Sequence, residues 1–541
     1  VCYDPLSPAT IGGGSRLSRR RAREVQATGA IRKPGARTLV ARAAGAVVAV
    51  GAVVLLVTNA LAASAFPETF SMMRGAVDDG GGTPVGMAGM DGMAGMAGPA
   101  AGPTVSVADL TGPTGGVPDC TFDLVARQQQ IRLASGTVVD AWTFNGQAPG
   151  PELRMRQGEL VEVRVRNELP ADPVTVHWHG MDVPNAEDGV SGITQDAIGP
   201  GQDYVYRFRV NESGARWYHS HQAASVQVIK GLFGPIVIDP ATPGPADRVD
   251  TDADVQLHDW DTAAGPVTAM GTSDVLEHRA AAPGSRQRLR LANTANYPKI
   301  VSLTGVPFRV TALDGGAVNQ PTDLTSDRIL LAAGGRVDVG FTMPATPVRL
   351  VDVAAPTAGI AFSADGKSDI PPVLDGPMFD PTTYGTPEPT PFGPDSHFDR
   401  EFDMVFDEWL NFYDDRFGLL QTANGQVYPD TPMHMVREGD LVKFRFVNRA
   451  SEDHPMHLHG HHVLELSRDG RPTTGSPIWL DTVNVGPGET VEVGFRADNP
   501  GLWMDHCHNL VHTDLGLILH LAYENVSTPY MVGGAAHNVP E

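Results

Sequence analysis

The chain has 541 residues, too many for one hydrophobic core, so two to four domains are expected. Glycine and proline are plentiful and long amphipathic helical patterns are scarce, which predicts an all-β, turn-rich architecture. The formal net charge of −23 argues against nucleic acid as a partner. Three cysteines, Cys2, Cys120 and Cys507, are too few for a disulfide framework, and the first two are expected to be unpaired.

The N-terminal region has the pattern of an export or anchoring segment. Residues 1–42 are basic, and residues 43–66 are almost entirely apolar, about the ~20 residues that a bilayer requires. With positive charge on the N-terminal side, the remainder of the chain is expected outside the cytoplasm. Two interpretations stay open. Ala60-Leu61-Ala62 resembles a signal-peptidase site, and the length of the apolar run favours an uncleaved membrane anchor.

Residues 67–103 are rich in glycine and alanine and are predicted to be a flexible linker. Within this stretch Met87, Met90, Met93 and Met96 recur at every third position. Thioethers are soft ligands that suit Cu(I). The stretch is therefore either a copper-capturing segment or a low-complexity tether in which methionine recurs.

From residue 104 the sequence repeats three times. An alternating apolar run leads from Gly158 to Asn167, and the same pattern leads from Gly439 to Asn448. A middle copy ends at Asn293. Alternation of this kind is typical of a half-buried strand. The repeats predict three β-sandwich domains, over residues 104–242, 243–394 and 395–541.

Only the first and third copies carry paired histidines. His177-Trp178-His179-Gly180 follows Asn167 by ten residues, and His457-Leu458-His459-Gly460 stands at nearly the same offset in the last copy. The middle copy has Ser302-Leu303-Thr304-Gly305 instead. Further along, His219-Ser220-His221 matches His506-Cys507-His508 without a gap. Metal chemistry is therefore expected in the first and third domains and not in the second.

The stretch His506-Cys507-His508 combines a thiol with two imidazoles. In an extended strand, alternate side chains point to opposite faces, so the two histidines would face one way and the cysteine the other. Such a strand can serve two metal centres joined by a short piece of backbone. A structural zinc site needs converging ligands, whereas a His2Cys set is typical of blue-copper electron transfer.

The histidines form four clusters, in this order: His177 and His179; His219 and His221; His454, His457 and His459; His506, His508 and His512 around Cys507. In order and spacing these clusters resemble those of three-domain multicopper oxidases of the bacterial laccase type, over roughly residues 104–541. The resemblance implies three tandem cupredoxin-like Greek-key β-sandwich domains, preceded by the N-terminal apolar helix and the linker. It also implies four copper ions, with a trinuclear site between the first and third domains.

The resemblance assigns ligands residue by residue. Cys507, His454 and His512 would hold the type 1 copper; His177 and His457 the type 2 copper; His179, His219 and His508 one type 3 copper; and His221, His459 and His506 the other. Leu517 would occupy the axial position of the type 1 site without ligating, which would raise the reduction potential of that copper. Asp188 would supply protons to reduced oxygen, and electrons would pass from Cys507 to His506 and His508.

The function expected from this resemblance is one-electron oxidation of a donor coupled to four-electron reduction of O2 to water. Phenols and aromatic amines are the leading donors, as in laccases. Metal ions, Cu(I) above all and Mn(II) next, are the rivals, because the Met-rich stretch and the acidic surface favour a cation. A copper-sequestering module without turnover is the third hypothesis. The enzyme is expected to be exported, and either secreted or held at the membrane.

Overall fold

The computed structural model describes residues 36–81, 104–244 and 247–541. The first described element is a 28-residue helix, α1 (Ala36–Ala63), rich in alanine, leucine and valine. Within it, Arg42–Ala63 is long and apolar enough to cross a membrane, with a mean hydropathy of 2.4. A helix of this composition fits a signal or an anchor equally well. Two short strands follow, β1 (Thr69–Phe70) and β2 (Val77–Asp78).

The first domain is a sandwich of two four-stranded sheets. Its strands are β3 (Val105–Ser106), β4 (Cys120–Arg132), β5 (Val138–Phe144), β6 (Leu153–Arg156), β7 (Leu160–Asn167), β8 (His177–His179), β9 (Asp203–Arg209), β10 (Gly214–His219) and β11 (Phe233–Asp239). The sheet orders are β5-β4-β7-β9 and β6-β11-β10-β8, and a short helix, α2 (Ala224–Gln227), follows β10. Val161, Val163 and Val165 of β7 are fully buried and alternate with half-buried or exposed charged residues, as the sequence predicts.

The second domain packs a six-stranded sheet on a five-stranded one, in the orders β13-β12-β15-β20-β17-β18 and β14-β22-β21-β16-β19. Its strands are β12 (Thr251–Thr262), β13 (Gly265–Met270), β14 (Leu276–Ala280), β15 (Arg286–Asn293), β16 (Lys299–Thr304), β17 (Arg309–Leu313), β18 (Gly316–Ala317), β19 (Arg328–Leu331), β20 (Arg336–Thr342), β21 (Val348–Asp352) and β22 (Gly359–Ser363). Neighbouring strands that are not consecutive in sequence are typical of Greek-key sandwiches.

The third domain carries the longest strand, β23 (Arg400–Tyr413), with 14 residues. The strands that follow it are β24 (Arg416–Ala423), β25 (Met433–Val436), β26 (Leu441–Asn448), β27 (His454–Leu458), β28 (Val463–Arg468), β29 (Arg471–Pro472), β30 (Trp479–Leu480), β31 (Thr482–Val485), β32 (Thr490–Arg496), β33 (Leu502–Cys507), β34 (Ile518–Tyr523), β35 (Val526–Ser527) and β36 (Val532–Gly533). One sheet runs β2-β25-β34-β33-β27-β31 and the other β24-β23-β26-β32-β28-β29. A short helix, α3 (Leu510–Asp514), follows β33.

An asparagine marks the same place in all three sandwiches. Asn167, Asn293 and Asn448 each close a strand, and each amide nitrogen donates to two backbone carbonyls. Each amide oxygen accepts the backbone N–H two residues later. This shared hydrogen-bonding pattern confirms the threefold internal repeat, and the all-β fold class is confirmed with it.

The stretch before the Met-rich segment is not a linker. Phe66 packs edge-on against Phe70 and Tyr413, with ring centroids 5.4 and 5.0 Å apart, and Met72 is 1% exposed. Strand β1 pairs with β36 and β2 with β25 of the third domain. The prediction of a flexible linker is therefore wrong for residues 67–81, because their apolar side chains complete the core of the third domain. Residues 82–103, with the four recurring methionines, lie outside the described residues, as does Cys2.

Cys120 is unpaired, as expected, and half-buried. Its thiol lies 3.6 Å from a carboxylate oxygen of Glu159, and burial together with that carboxylate raises the thiol pKa to about 12. It is therefore a protonated, unreactive thiol.

Candidate metal centres

Strand pairing brings the four histidine clusters together between the first and third domains. In the first domain β8 pairs with β10 so that His177 lies opposite His219. In the third domain β27 pairs with β33 so that His457 lies opposite His506. All ten predicted histidine ligands and Cys507 are at most 3% exposed. The histidines that recur at regular spacing in the sequence therefore lie, with Cys507, in two neighbouring clusters of metal-ligand side chains.

The smaller cluster consists of Cys507, His454 and His512. The sulfur of Cys507 lies 3.7 Å from Nδ1 of His454 and 3.6 Å from Nδ1 of His512. His512 is placed by α3, whose first turn is capped by the side chain of Asn509. Leu517 is fully buried in the same core cluster as Cys507, and its carbonyl accepts the N–H of Cys507 at 3.3 Å.

The protonation states of this cluster fit a soft metal ion. Burial raises the pKa of the Cys507 thiol and lowers that of His454 to about 3. The thiol therefore loses its proton only to a cation, while the imidazole is neutral and keeps a lone pair. The outer nitrogen of His512, Nε2, contacts a carboxylate oxygen of Glu452 at 3.0 Å. That side chain is 49% exposed, so this edge of the cluster reaches the surface.

The larger cluster contains eight histidines, and most of them are fixed through Nδ1. His177, His219, His457 and His506 each face a backbone carbonyl oxygen with Nδ1, at 2.9, 2.9, 2.8 and 3.1 Å. Nδ1 of His459 lies 3.0 Å from the carboxylate of Asp188. Nδ1 of His221 faces the carbonyl of Pro540. An imidazole that donates through Nδ1 presents its Nε2 lone pair on the other side.

These Nε2 atoms point at one another. Nε2 of His506 lies 3.1 Å from that of His459 and 3.4 Å from that of His221, and the Nε2 atoms of His177 and His457 are 3.4 Å apart. Burial lowers the pKa of His221, His457 and His459 far below the usual value, so these rings are neutral. Facing lone pairs repel unless a cation lies between them, which fits metal ions here.

His179 and His508 are held differently. His179 uses Nε2 to contact Asp481 and Thr482, both at 3.1 Å. Among the described residues, its Nδ1 and both ring nitrogens of His508 are buried and have no hydrogen-bond partner. The ring of His508 lies 4.9 Å from that of His179 and 5.4 Å from that of His219. These free nitrogens are suited to metal ligation.

The structure brings predicted ligands of the larger cluster together in three groups. The ligand atoms of His221, His459 and His506 lie within 4.8 Å of one another. His179 and His219 also form a group at that distance, but with His177 rather than His508. His177 and His457 come together with His459.

Asp188 lies behind the larger cluster. Its side chain is 1% exposed, with one carboxylate oxygen 3.2 Å from Nδ1 of His177 and the other 3.0 Å from Nδ1 of His459. The hydrogen bond of His177 goes to the backbone carbonyl of Asp188 at 2.9 Å, and that of His459 goes to its carboxylate, so this one residue contacts imidazoles from two domains. Such a group fixes ring orientation, and its carboxylate can exchange a proton with the ring of His459.

Two functional residues were missed at the sequence level. The side chain of Asp481 is 1% exposed and contacts Nε2 of His179, and the carbonyl of Asp481 contacts Nδ1 of His457. Its carboxylate accepts a hydrogen bond at 2.6 Å from Arg336, a fully buried residue of the second domain. The only feature of the sequence that could have pointed to Asp481 is the presence of an acidic residue between two apolar strands.

The second domain also touches the histidines through Gly334. Its φ of +81° is favourable only for glycine, and a Cβ there would lie 2.7 Å from the ring of His508 and 3.1 Å from that of His179. The carbonyl of Gly334 accepts a hydrogen bond from the indole of Trp217 at 3.2 Å. The second domain contributes none of the predicted metal ligands, but it packs against the histidines that the other two domains contribute.

Comparison with known proteins is consistent with this geometry. Two multicopper oxidase domain models match residues 125–243 and 391–527. The multicopper oxidase MmcO of Mycobacterium tuberculosis is 30% identical over 491 residues, covering 78% of this chain and 91% of the relative. The chain belongs to the multicopper oxidase family. Laccase-2 of Fomitopsis schrenkii is 28% identical and covers 75% of this chain and 90% of the relative.

Among solved structures, a multicopper oxidase from Pseudomonas thermotolerans superposes with a TM-score of 0.61 at 28% identity, covering 75% of this chain and 99% of the other. Multicopper oxidases are oxidoreductases that use O2 and carry four coppers in type 1, type 2 and type 3 centres. The two clusters of this multicopper oxidase supply a soft thiol-containing site and an all-imidazole site, which fits that cofactor set.

Proposed function

We propose that this multicopper oxidase is a laccase-like enzyme, which couples one-electron oxidation of phenolic or aromatic amine donors to reduction of O2 to water. Cys507, His454 and His512 would hold the type 1 copper, and the eight remaining histidines the trinuclear site. Bound copper supplies the one-electron storage that side chains lack. The balance is four donor electrons and four protons for each O2 reduced to two waters.

The chain's own residues provide the route between the sites. The backbone joins Cys507 directly to His506 and His508, and the carbonyl of Cys507 also faces Nδ1 of His506 at 3.1 Å. One residue therefore links the donor-side cluster to the oxygen-side cluster by two short paths. Asp188, between His177 and His459, is the proposed proton donor, because its carboxylate contacts both rings at the buried site.

The observation that carries the choice of donor is an apolar surface on the hairpin that contacts α3, the helix of His512. Leu410, Phe417 and Leu419, on the same face of the hairpin of β23 and β24, are 43–67% exposed. The hairpin is joined to α3 by an ion pair of 2.6 Å between Arg416 and Asp514. We call these three apolar residues the hairpin patch. Exposed apolar and aromatic groups of this kind suit an aromatic donor.

A metal ion is the second candidate donor. The carboxylate of Glu452 is half-exposed and touches Nε2 of His512, so it could bind a cation at the electron-entry edge. The net charge of −23 favours the approach of cations such as Cu(I) or Mn(II). The third candidate, copper sequestration without turnover, offers no reason for a cysteine joined to two ligands of a second cluster.

The test is O2 uptake by the copper-loaded protein with a simple phenol or with Cu(I) as donor. Residues 64–541 should be used, because β1 and β2 belong to the third domain. Phe417→Ser in the hairpin patch should raise KM for the phenol. Leu330→Ser, at a 39% exposed leucine of the second domain, is the matched control and should leave KM unchanged.

The outcomes separate the three candidates. Faster uptake with phenol, and sensitivity to Phe417→Ser alone, would support the laccase-like function. Faster uptake with Cu(I), lost in Glu452→Gln, would identify a cuprous oxidase. No uptake with either donor in protein that holds four coppers would leave sequestration as the function.

We also propose that the catalytic domains are exported. The support is the apolar helix α1, which is compatible with a signal or an anchor, and the basic residues that precede it. Cell fractionation, with N-terminal sequencing of the mature protein, tests this. Cytoplasmic activity with an intact N-terminus would contradict it, and membrane-bound activity would identify α1 as an anchor.

A further inference from the structure

Soft side chains form a row across one sheet of the third domain. Strand β34 lies between β25 and β33, and His520 on β34 pairs with Met433 on one side and Met504 on the other. Paired residues on neighbouring strands point to the same face, and the strands lie about 4.8 Å apart. Met433, His520 and Met504 are 3%, 3% and 0% exposed. Two thioethers and an imidazole thus share one buried patch of sheet.

The imidazole of His520 lacks a partner for one nitrogen. Its Nε2 is buried and makes no hydrogen bond among the described residues. Burial lowers the pKa of His520 to about 4, so the ring is neutral. Leaving a buried polar atom unpaired costs about 1–3 kcal/mol, a cost that an apolar residue at this position would avoid.

A third methionine closes the patch from the N-terminal side. Met72 is 1% exposed and lies in the same core cluster as Met433 and Met504. Its sulfur accepts a hydrogen bond from the hydroxyl of Tyr428, whose ring centroid is 6.2 Å from that of His520. The segment of β1 and β2 therefore contributes a further thioether, that of Met72, to the core cluster that contains Met433 and Met504.

We propose that Met433, His520 and Met504 bind a Cu(I) ion in addition to the four coppers of the family. Thioether sulfur and neutral imidazole favour Cu(I), whereas Mn(II), Mg(II) and Ca(II) prefer oxygen ligands. Packing alone explains the methionines, which fill irregular gaps in cores. It does not explain a neutral histidine with a free nitrogen between two of them.

The position of the row gives this ion a role. On the far side of Met504 the next strand is β27, and the N–H of His459 donates to the carbonyl of Met504 at 3.0 Å. His506 stands two residues after Met504 on β33. A Cu(I) ion at His520 is therefore one strand away from the eight-histidine cluster. Such a site suits copper on its way into that cluster, whichever donor reduces the enzyme.

The test is a titration of the copper-loaded enzyme with Ag(I), a redox-silent d10 ion that takes the same soft ligands. We expect one Ag(I) per chain beyond the four coppers and beyond any Ag(I) taken by Met87, Met90, Met93 and Met96, with the blue absorption unchanged. Met433→Leu preserves volume and should weaken Ag(I) binding at least ~10-fold. Met404→Leu, at a fully buried methionine elsewhere in the third domain, is the matched control and should bind Ag(I) normally.

A second measurement makes the test independent of how well the variant folds. X-ray absorption at the silver edge of the loaded wild-type enzyme should show sulfur and nitrogen neighbours together. Absence of the extra Ag(I), equal binding by Met433→Leu, or a silver environment without sulfur would each overturn the proposal.

Discussion

The ion pair between Arg336 and Asp481 should be one of the most costly contacts to remove. Arg336 belongs to the second domain and is fully buried, and Asp481 belongs to the third and is 1% exposed. The carboxylate also contacts His179 of the first domain. Arg336→Met would remove the cation and leave Asp481 buried beside Asp314, whose pKa is already raised to about 6 by burial and by Asp481.

The magnitude follows from the burial of the pair. Breaking a buried ion pair by removing one partner costs about 3–5 kcal/mol, since the remaining charge is shielded from water and has lost its closest counter-ion. This corresponds to a roughly 150- to 5,000-fold change in the unfolding equilibrium constant. The pair of Arg309 and Asp323, in the same domain, has side chains 52% and 59% exposed. Arg309→Met should therefore cost at most about 1 kcal/mol.

The assay is urea unfolding of the copper-free protein, so that metal affinity does not contribute to the measured stability. Adding Asp481→Asn to Arg336→Met should restore part of the loss, because it removes the unpaired charge. Equal destabilisation by Arg336→Met and Arg309→Met would refute the reasoning. So would a double variant that is less stable than Arg336→Met alone.

Four further outcomes are expected. Cys507→Ser should abolish the blue absorption and reduce donor-driven O2 uptake to background; retained colour would contradict the ligand assignment. Leu517→Met places a thioether beside the buried Cys507 and should lower the type 1 reduction potential, which a spectroelectrochemical titration measures. Asp188→Asn should slow O2 consumption while the blue absorption persists, and an unchanged kcat would count against a proton-donating role. Burial and a hydrogen-bonded neighbouring carboxyl raise the pKa of Asp254 from 3.8 to about 8. The native chain therefore binds a proton that the unfolded chain releases, stability falls as pH rises from 4 to 8, and Asp254→Asn should flatten the thermal midpoint over that range.

Local patterns in the sequence were enough to predict the all-β fold and the existence of the paired-histidine clusters. Alternation of apolar residues in β7 reflects one buried sheet face, and the repeat of His-x-His-Gly in two copies reflects equivalent strands. The alternation around Cys507 places its thiol on the face opposite His506, which faces the larger cluster. Such features depend on neighbours in the chain, so they are visible without a structure.

Contacts between distant parts of the chain were not predictable in this way. Arg336 and Asp481 are 145 residues apart, and nothing in the local sequence of either indicates the other. The packing of Phe70 and Met72 was missed for a related reason. The glycine-rich sequence that follows them suggested a linker. Two short strands are nevertheless enough to fix this segment, because they pair with strands of the third domain.

The hydrogen bond between His221 and the carbonyl of Pro540 has a consequence for biosynthesis. The two residues are 319 positions apart, so the ribosome completes the first domain long before the residue that sets the tautomer of His221 exists. A nascent first domain therefore presents this imidazole with either nitrogen free. Copper present at that stage would be able to bind either ring nitrogen of His221. The larger cluster also draws its ligands from both domains, so its full ligand set, with His221 held in one tautomer, exists only after the third domain has been synthesised.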